Sequence, residues 1–270
     1  VMKWIGRIIM VLYALLVAAP LYFVMTSSFK TSQAFFANPL SWPNPWTIQN
    51  FVSIFDAQPM WQYFWNSARV TLSTVALDLF LGSLIAYAII RLGGRMGRYT
   101  FVYFVAGLII PSQVSMLPLY SLVRQLGWSD NLGALILVTA AGLLPLTVFT
   151  LTGFMEMLSK EMMEAGSIDG ASEWKIYWRL ILPLSGPSLA ATAAFLFVMV
   201  WNDLLIPMLL INSTDKLTLP LALMQFRGEY VTDYTLLLTG VVITAVPMVI
   251  LFIFLQRFFV TGMTAGSVKG

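Results

Sequence analysis

Between Ser159 and Pro187 the chain reads SKEMMEAGSIDGASEWKIYWRLILPLSGP. This is its most charged stretch, and the pattern is organised. Ser159 is a candidate N-cap, and Glu161 in the first turn suits the positive end of a helix dipole. A short helix is expected to run to about Asp169 and to break at Gly170, because glycine reaches left-handed backbone angles at low cost. Ala171-Ser172 starts a second helix. In it Trp174, Tyr177, Trp178 and Ile181 fall on one face at helical spacing, with Glu173, Lys175 and Arg179 elsewhere. Pro183 and Pro187 stand where the chain is expected to turn away. The product is a helix–turn–helix bracket with an aromatic stripe, suited either to docking a partner or to lying at a membrane interface.

The surroundings decide where such a bracket sits. The chain has 270 residues, 59% hydrophobic and only 10% charged. Soluble proteins carry about 25% charged residues, so this apolar surface needs lipid as its solvent. A helix crosses a bilayer with about 20 apolar residues. Runs of that kind occupy about 8–26, 66–90, 99–123, 132–154, 184–205 and 234–256. They are long and continuous, as in helices, and not the short alternating segments of a barrel. No small-residue cleavage pattern follows the first run, so it reads as a retained helix. The fold expected is an all-α, polytopic bundle of about six transmembrane helices. One membrane domain covers 1–270, with the bracket at about 156–187.

Lysine and arginine give the orientation. With the N-terminus inside, the inner side carries Lys3, Arg7, Arg91, Arg95, Arg98, Lys160, Lys175, Arg179, Arg257 and Lys269. The outer side has Lys30, Arg69, Arg124, Lys216 and Arg227. Both termini and the bracket are then cytoplasmic, and the long loops at about 30–65 and 207–233 are extracytoplasmic. The first of these holds Pro39, Pro43 and Pro45 among Trp42, Trp46, Trp61 and Trp65. Prolines interrupt helix, and tryptophans favour the interface.

Composition excludes several chemistries. There is no cysteine and no histidine, hence no disulfide, thiol nucleophile, Ser-His arrangement or histidine proton relay. A net charge of +3 fits helix flanks better than a nucleic-acid surface. No Gly-x-x-x-x-Gly-Lys-Ser/Thr loop is present, so nucleotide is not expected on this chain.

Polar groups at membrane depth are the candidates for a solute path. Asp78 lies near the middle of the second run, with Arg69 and Arg91 towards its ends. An ionised side chain there costs roughly 2.5–3.5 kcal/mol on insertion scales, so it should face the interior, carry a proton or meet a partner. It reads either as a pathway residue or as one satisfied by an interhelical hydrogen bond. Ser112 and Gln113 follow Pro111 in the third run, where proline frees a carbonyl. Either a sugar path or helix packing would use them. Trp201, Asn202 and Asp203 close the fifth run, where an indole offers a flat face to a sugar or to the interface. Thr239, Thr244 and Pro247 are weaker candidates.

The run Glu164-Ala165-Gly166-x-x-Asp169-Gly170-Ala171, followed by Pro183, resembles the EAA signature of binding-protein-dependent ABC importer permeases. The family usually has alanine where this chain has Gly166. Asn66-Ser67, Pro111-Ser112-Gln113 with Pro118, Trp201-Asn202-Asp203 and Gln256-Arg257-Phe258-Phe259-Val260-x-Gly262 extend the likeness over almost the whole chain. So does the ending Gly266-Ser267-Val268-Lys269-Gly270. Together they resemble the carbohydrate, maltose-type (MalG-like) branch.

The resemblance implies a non-catalytic transport subunit for a sugar or oligosaccharide. Its partners would be a homologous second permease in a heterodimer, two ATPase subunits and an extracytoplasmic solute-binding protein, with ATP and magnesium held by the ATPase. It also implies that Glu164, Ala165, Gly166, Asp169, Gly170, Ala171 and Pro183 serve ATPase docking. The tail of Gly266, Ser267, Val268, Lys269 and Gly270 would reach the same interface. The rivals are an ion-coupled secondary transporter of a small polar solute, for which Asp78 is the one mid-membrane carboxylate and no repeat is seen, and an intramembrane enzyme.

Overall fold

The computed structural model describes the backbone of residues 2–158, 160–226 and 233–265, and side chains at 4–158, 162–226 and 233–254. Every regular element among them is helical. In chain order these are α1 (Met2–Ser28), α2 (Ser32–Ala37), α3 (Gln49–Ala57), α4 (Met60–Leu92), α5 (Gly94–Ala106), α6 (Ser112–Gln125) and α7 (Leu132–Met155). Then come α8 (Lys160–Ile168), α9 (Glu173–Ile176), α10 (Leu182–Leu184), α11 (Gly186–Trp201), α12 (Leu205–Leu210), α13 (Leu219–Leu223) and α14 (Tyr234–Ala265).

Straight helices long and apolar enough to cross a membrane occupy Trp4–Ser28, Met60–Leu92, Leu132–Met155 and Tyr234–Phe254. The third and fifth expected spans are not straight. Gly94–Ile109 and Ser112–Gln125 meet at 96°, and Glu173–Leu184 and Gly186–Trp201 meet at 73°. Counting each bent pair as one span gives the six expected. The first bend has a local cause. Pro111 offers no N–H and forces extended angles on the residue before it. Ile110 accordingly has φ −80°, ψ 116°. The second bend turns at Ser185 (φ −80°, ψ 2°), with Pro187 in the first turn of α11.

Two boundaries differ from the sequence reading. Helix α4 begins at Met60, so Trp61 and Trp65 belong to a helix and not to the preceding loop. Helix α11 stops at Trp201, short of 205. There Asp203 Oδ1 accepts from the Leu205 and Ile206 N–H groups at 3.0 and 3.4 Å, starting α12. A carboxylate that caps the next helix in this way ends the previous one.

The chain forms two compact units, residues 1–64 with 218–249 and residues 65–217 with 250–270. In the first, α1 exposes its side chains from Trp4 to Tyr22 on all faces. Its end is tightly held. Lys30 is buried, and its ammonium donates to the Asn38 and Pro39 carbonyls at 3.2 and 2.7 Å. Asn50 Nδ2 donates to the Ser28 and Lys30 carbonyls at 2.9 and 2.7 Å. Phe35 stacks on Tyr234 with centroids 5.9 Å apart.

The second unit is built around α7. Leu135, Val148 and Leu151 of α7 are fully buried, as is Leu196 of α11. Gly82 of α4 touches Thr147 of α7 so closely that a Cβ would lie 2.5 Å from Thr147 Cγ2. Helices pack this closely in membranes through small residues. Phe101 of α5 stacks on Phe149 of α7 at 6.2 Å. At the other end Asp130, with φ 54°, ties two loops together. Its Oδ1 accepts from the Asn212 and Ser213 N–H groups at 3.0 and 2.9 Å, and Lys216 Nζ donates to Oδ2 at 2.8 Å. Lys216 above all, then Ser213 and Asn212, hold the Asp130 carboxyl well below the usual carboxylate range.

Candidate functional site

The bracket forms as its residues direct. Helix α8 ends in a reversal: the Ala171 N–H donates to Gly166 O at 3.0 Å and the Gly170 N–H to Ser167 O at 3.1 Å. This is a Schellman ending, and it needs a left-handed residue just past the helix. Gly170 supplies it at φ +73°. Ser172 caps α9, its Oγ accepting from the Lys175 N–H at 3.4 Å. The proposed cap Ser159 lies outside the described residues. Gly166 faces the second helix, where a Cβ would stand 3.3 Å from Ile176 Cγ1. The smaller residue at this position thus lets the two arms of the bracket close on each other.

A hydrophobic cluster joins the bracket to two long helices. Met163 of α8 and Ile176, Tyr177 and Ile181 of the second arm are buried with Ala86 and Tyr87 of α4 and Leu151 and Met155 of α7. Truncating one such side chain typically costs 2–5 kcal/mol. The expected aromatic stripe divides here. Tyr177 and Ile181 point inward, while Trp174 and Trp178 are 57% and 41% exposed. Trp174 and Trp178, one turn apart, share the open edge, and Tyr177 and Ile181, likewise one turn apart, share the buried one. A π-helical turn spans Tyr177–Ile181, in which the Leu182 N–H donates to Tyr177 O.

Polar contacts reinforce the joint. Tyr177 Oη and Ser83 Oγ of α4 are 2.8 Å apart and buried. Arg91, in the last turn of α4, holds the Glu173 carboxylate in two-point fashion, Nε to Oε2 at 2.8 Å and Nη2 to Oε1 at 2.6 Å. Tyr87, one turn earlier, donates to Oε2 at 2.6 Å. Arg91 Nη2 also donates to Ser167 Oγ of α8 at 2.7 Å. The ion pair is half exposed, so it contributes about 0.2–1 kcal/mol to stability. Its forked geometry gives direction more than strength. Sequence reasoning took Arg91 for a topological anchor and gave Glu173 no partner. The available signal was the Tyr87–Arg91 spacing, which puts both on one helical face.

The opposite surface of the bracket is open. Glu164, Ala165, Asp169 and Gly170 are exposed, and Ile168 at the tip is 85% exposed. Met162, Trp174 and Trp178 continue an apolar surface beside those charges. Gly166 and Ala171 are half-buried inside the bracket, and Pro183 is exposed in α10. Such a surface can bind protein. Among the described residues no group of three carboxylates could hold a metal ion.

The remaining candidates lie on three separate elements. Asp78 is fully buried in mid-α4, and neither carboxylate oxygen has a hydrogen-bond partner among the described residues. Ser112 and Gln113 sit exposed in the first turn of α6, Ser112 Oγ donating to Gln113 Oε1 at 3.3 Å. Trp201 is buried and stacks on Phe197 at 5.5 Å with the rings 8° from parallel. Asn202 Nδ2 donates to Val198 O at 2.8 Å, and Asp203 caps α12. Gly266, Ser267, Val268, Lys269 and Gly270 lie outside the described residues.

Residues 78–264 match the family described as "Binding-protein-dependent transport system inner membrane component". The chain is 35% identical to the arabinooligosaccharides transport system permease protein AraQ of Halalkalibacterium halodurans, covering 100% of this chain and 98% of that one. It is 31% identical to the melibiose/raffinose/stachyose import permease protein MelC of Bacillus subtilis, over 98% and 97% of the two chains. Identity to the diacetylchitobiose uptake system permease protein NgcG of Streptomyces coelicolor is 30%, over 98% and 88%. Among solved structures, a bacterial ABC transporter involved in the import of alginate has the same fold, with TM-score 0.84, 19% identity and 96% of each chain covered. With its apolar helices, its turn at Gly170 and the family match spanning both, this chain belongs to the inner membrane components of binding-protein-dependent transport systems.

Proposed function

We propose that this chain is the permease subunit of an ABC importer for a sugar or oligosaccharide, and that the bracket is its coupling element. In this reading one permease domain spans the bilayer with both termini and the bracket cytoplasmic. A homologous permease completes a heterodimer, two ATPase subunits bind beneath, and a solute-binding protein delivers solute from outside. ATP and magnesium belong to the ATPase. Its closure on nucleotide draws the brackets of the two permeases together and switches the pathway between inward-open and outward-open states.

The observation that carries this is the exposed tip. Glu164, Ala165, Ile168 and Asp169 stand clear of the chain on a turn fixed by Gly170, while the reverse side of the bracket is packed. Glu164 is the polar contact to the ATPase. Gly166, Gly170, Ala171 and Pro183 shape the element that presents it. The tail 266–270 reaches the same interface. Solute passes by Asp78, Ser112, Gln113, Trp201, Asn202 and Asp203, of which Ser112, Gln113 and Asn202 are the open ones. The sugar assignment is supported by the relatives that import arabinooligosaccharides, raffinose-type sugars and diacetylchitobiose.

The test is co-purification and uptake. Glu164→Lys should insert normally yet lose most of the bound ATPase, and ATP-driven uptake with it. Gly170→Pro should do the same, since proline cannot adopt a positive φ or donate the N–H that closes the turn. Both variants assembling and transporting as the native chain does would remove the coupling role. Uptake that survives ATP depletion and collapses with the ion gradient would favour the ion-coupled alternative built on Asp78.

A further inference from the structure

The inward face of the bracket packs on α4 and α7. Met163, Ile176, Tyr177 and Ile181 share one core with Ala86, Tyr87, Leu151 and Met155. Tyr177 is bonded to Ser83 inside that core. At its margin Glu173 takes hydrogen bonds from both Arg91 and Tyr87, and Arg91 also reaches Ser167 in the other arm. A single side chain of α4 therefore touches both arms of the bracket.

We propose that Glu173 is a positioning residue which, through Arg91 and Tyr87, locks the bracket to α4 so that bracket and α4 move as one rigid body. The core resists separation, but an apolar contact is non-directional and permits rotation. The Tyr177–Ser83 bond fixes one point inside the core, and the forked Arg91–Glu173 pair with the Tyr87 hydroxyl adds a second at its margin, which sets the angle. A push on the tip at Ile168 is then delivered to the whole length of α4 without loss into a hinge. This rests on the coupling reading given above.

The chain has no cysteine, so two nitroxides can be placed at chosen sites. Leu72→Cys on α4 (60% exposed) and Lys175→Cys on the bracket (exposed) report the angle between the two bodies. The complete transporter, with cysteine-free partner subunits, is measured by pulsed electron resonance in the nucleotide-free and the ATP–vanadate-trapped states. The expected result is one narrow distance, the same in both states. Arg91→Gln and Glu173→Gln should broaden or shift it on trapping, and the exchange Arg91→Glu with Glu173→Arg should restore it.

Tyr87→Phe keeps the buried ring and removes only the donor. It should broaden the distance less. A native distance that changes on trapping overturns the proposal, as do single variants that stay narrow or an exchange that fails to restore. The two readings fail separately. An ATPase that remains bound to Glu164→Lys counts against docking, whereas a moving Leu72–Lys175 distance with the ATPase in place counts against the joint alone.

Discussion

Asp78 is the residue whose surroundings least match its chemistry. Both its oxygens are buried without a partner among the described residues, and an ionised side chain at that depth costs roughly 2.5–3.5 kcal/mol on insertion scales. Asp78→Asn keeps the shape and removes the chance of charge. We expect it to leave thermal stability in detergent unchanged or higher, and to lower uptake. Uptake at the native rate with unchanged stability would make Asp78 a bystander. Asp130 is the contrasting carboxylate, on the chain's surface and fully satisfied. Its pKa is depressed in the fold, mainly by Lys216. As pH falls below about 4, the unfolded chain takes up the proton first. The stabilisation is therefore present at neutral pH and is lost as pH drops towards the depressed native value. Asp130→Asn should melt lower than the native chain at pH 7, with the gap closing under acid. A gap of the same size at pH 7 and at pH 2 would contradict this. At this scale the sequence revealed residues whose roles are local. Gly170 is an example, because a turn residue is dictated by its own backbone. The role of Glu173 was not legible at its own position, since its partners lie some eighty positions away, and only the shared face of Tyr87 and Arg91 pointed to a common acceptor.

Among the elements, the contact of α4 with α7 depends on the absence of a side chain at Gly82. Thr147 is short and branched and cannot swing aside to admit a Cβ. Gly82→Val should destabilise the chain by about 1–3 kcal/mol, as overpacking does, read as a lower melting temperature and reduced recovery from membranes. Gly82→Val with Thr147→Gly should recover most of the loss, and failure to recover would show that the two sites are not in contact. Helix existence was readable because apolar runs of spanning length have few alternative uses. Helix shape was not. Run length says nothing about direction, so the bends of 96° and 73° stayed hidden inside two unbroken apolar stretches. Pro111 marked the first bend, and the sequence reading took it only as a freed carbonyl. The π-helical turn was invisible too, because hydrophobic spacing assumes a constant period.

For the molecule as a whole, composition carried the class, and the basic residues supply an orientation that labelling can test. The topology predicts that Lys175→Cys is modified by a membrane-impermeant maleimide only from the cytoplasmic side, and that Lys216→Cys is modified only from outside. Labelling of Lys175→Cys on intact cells would invert the whole arrangement. The wide turn at Tyr177–Ile181 bears on how such a chain can change over time. That coil holds one residue more than its neighbours. Deleting a single position there would leave an ordinary α-helical turn with its backbone bonds available. Because the wide turn already takes up the extra residue locally, the coil on either side would keep its facing. This short stretch is therefore a place where one residue can be gained or lost without re-facing α11.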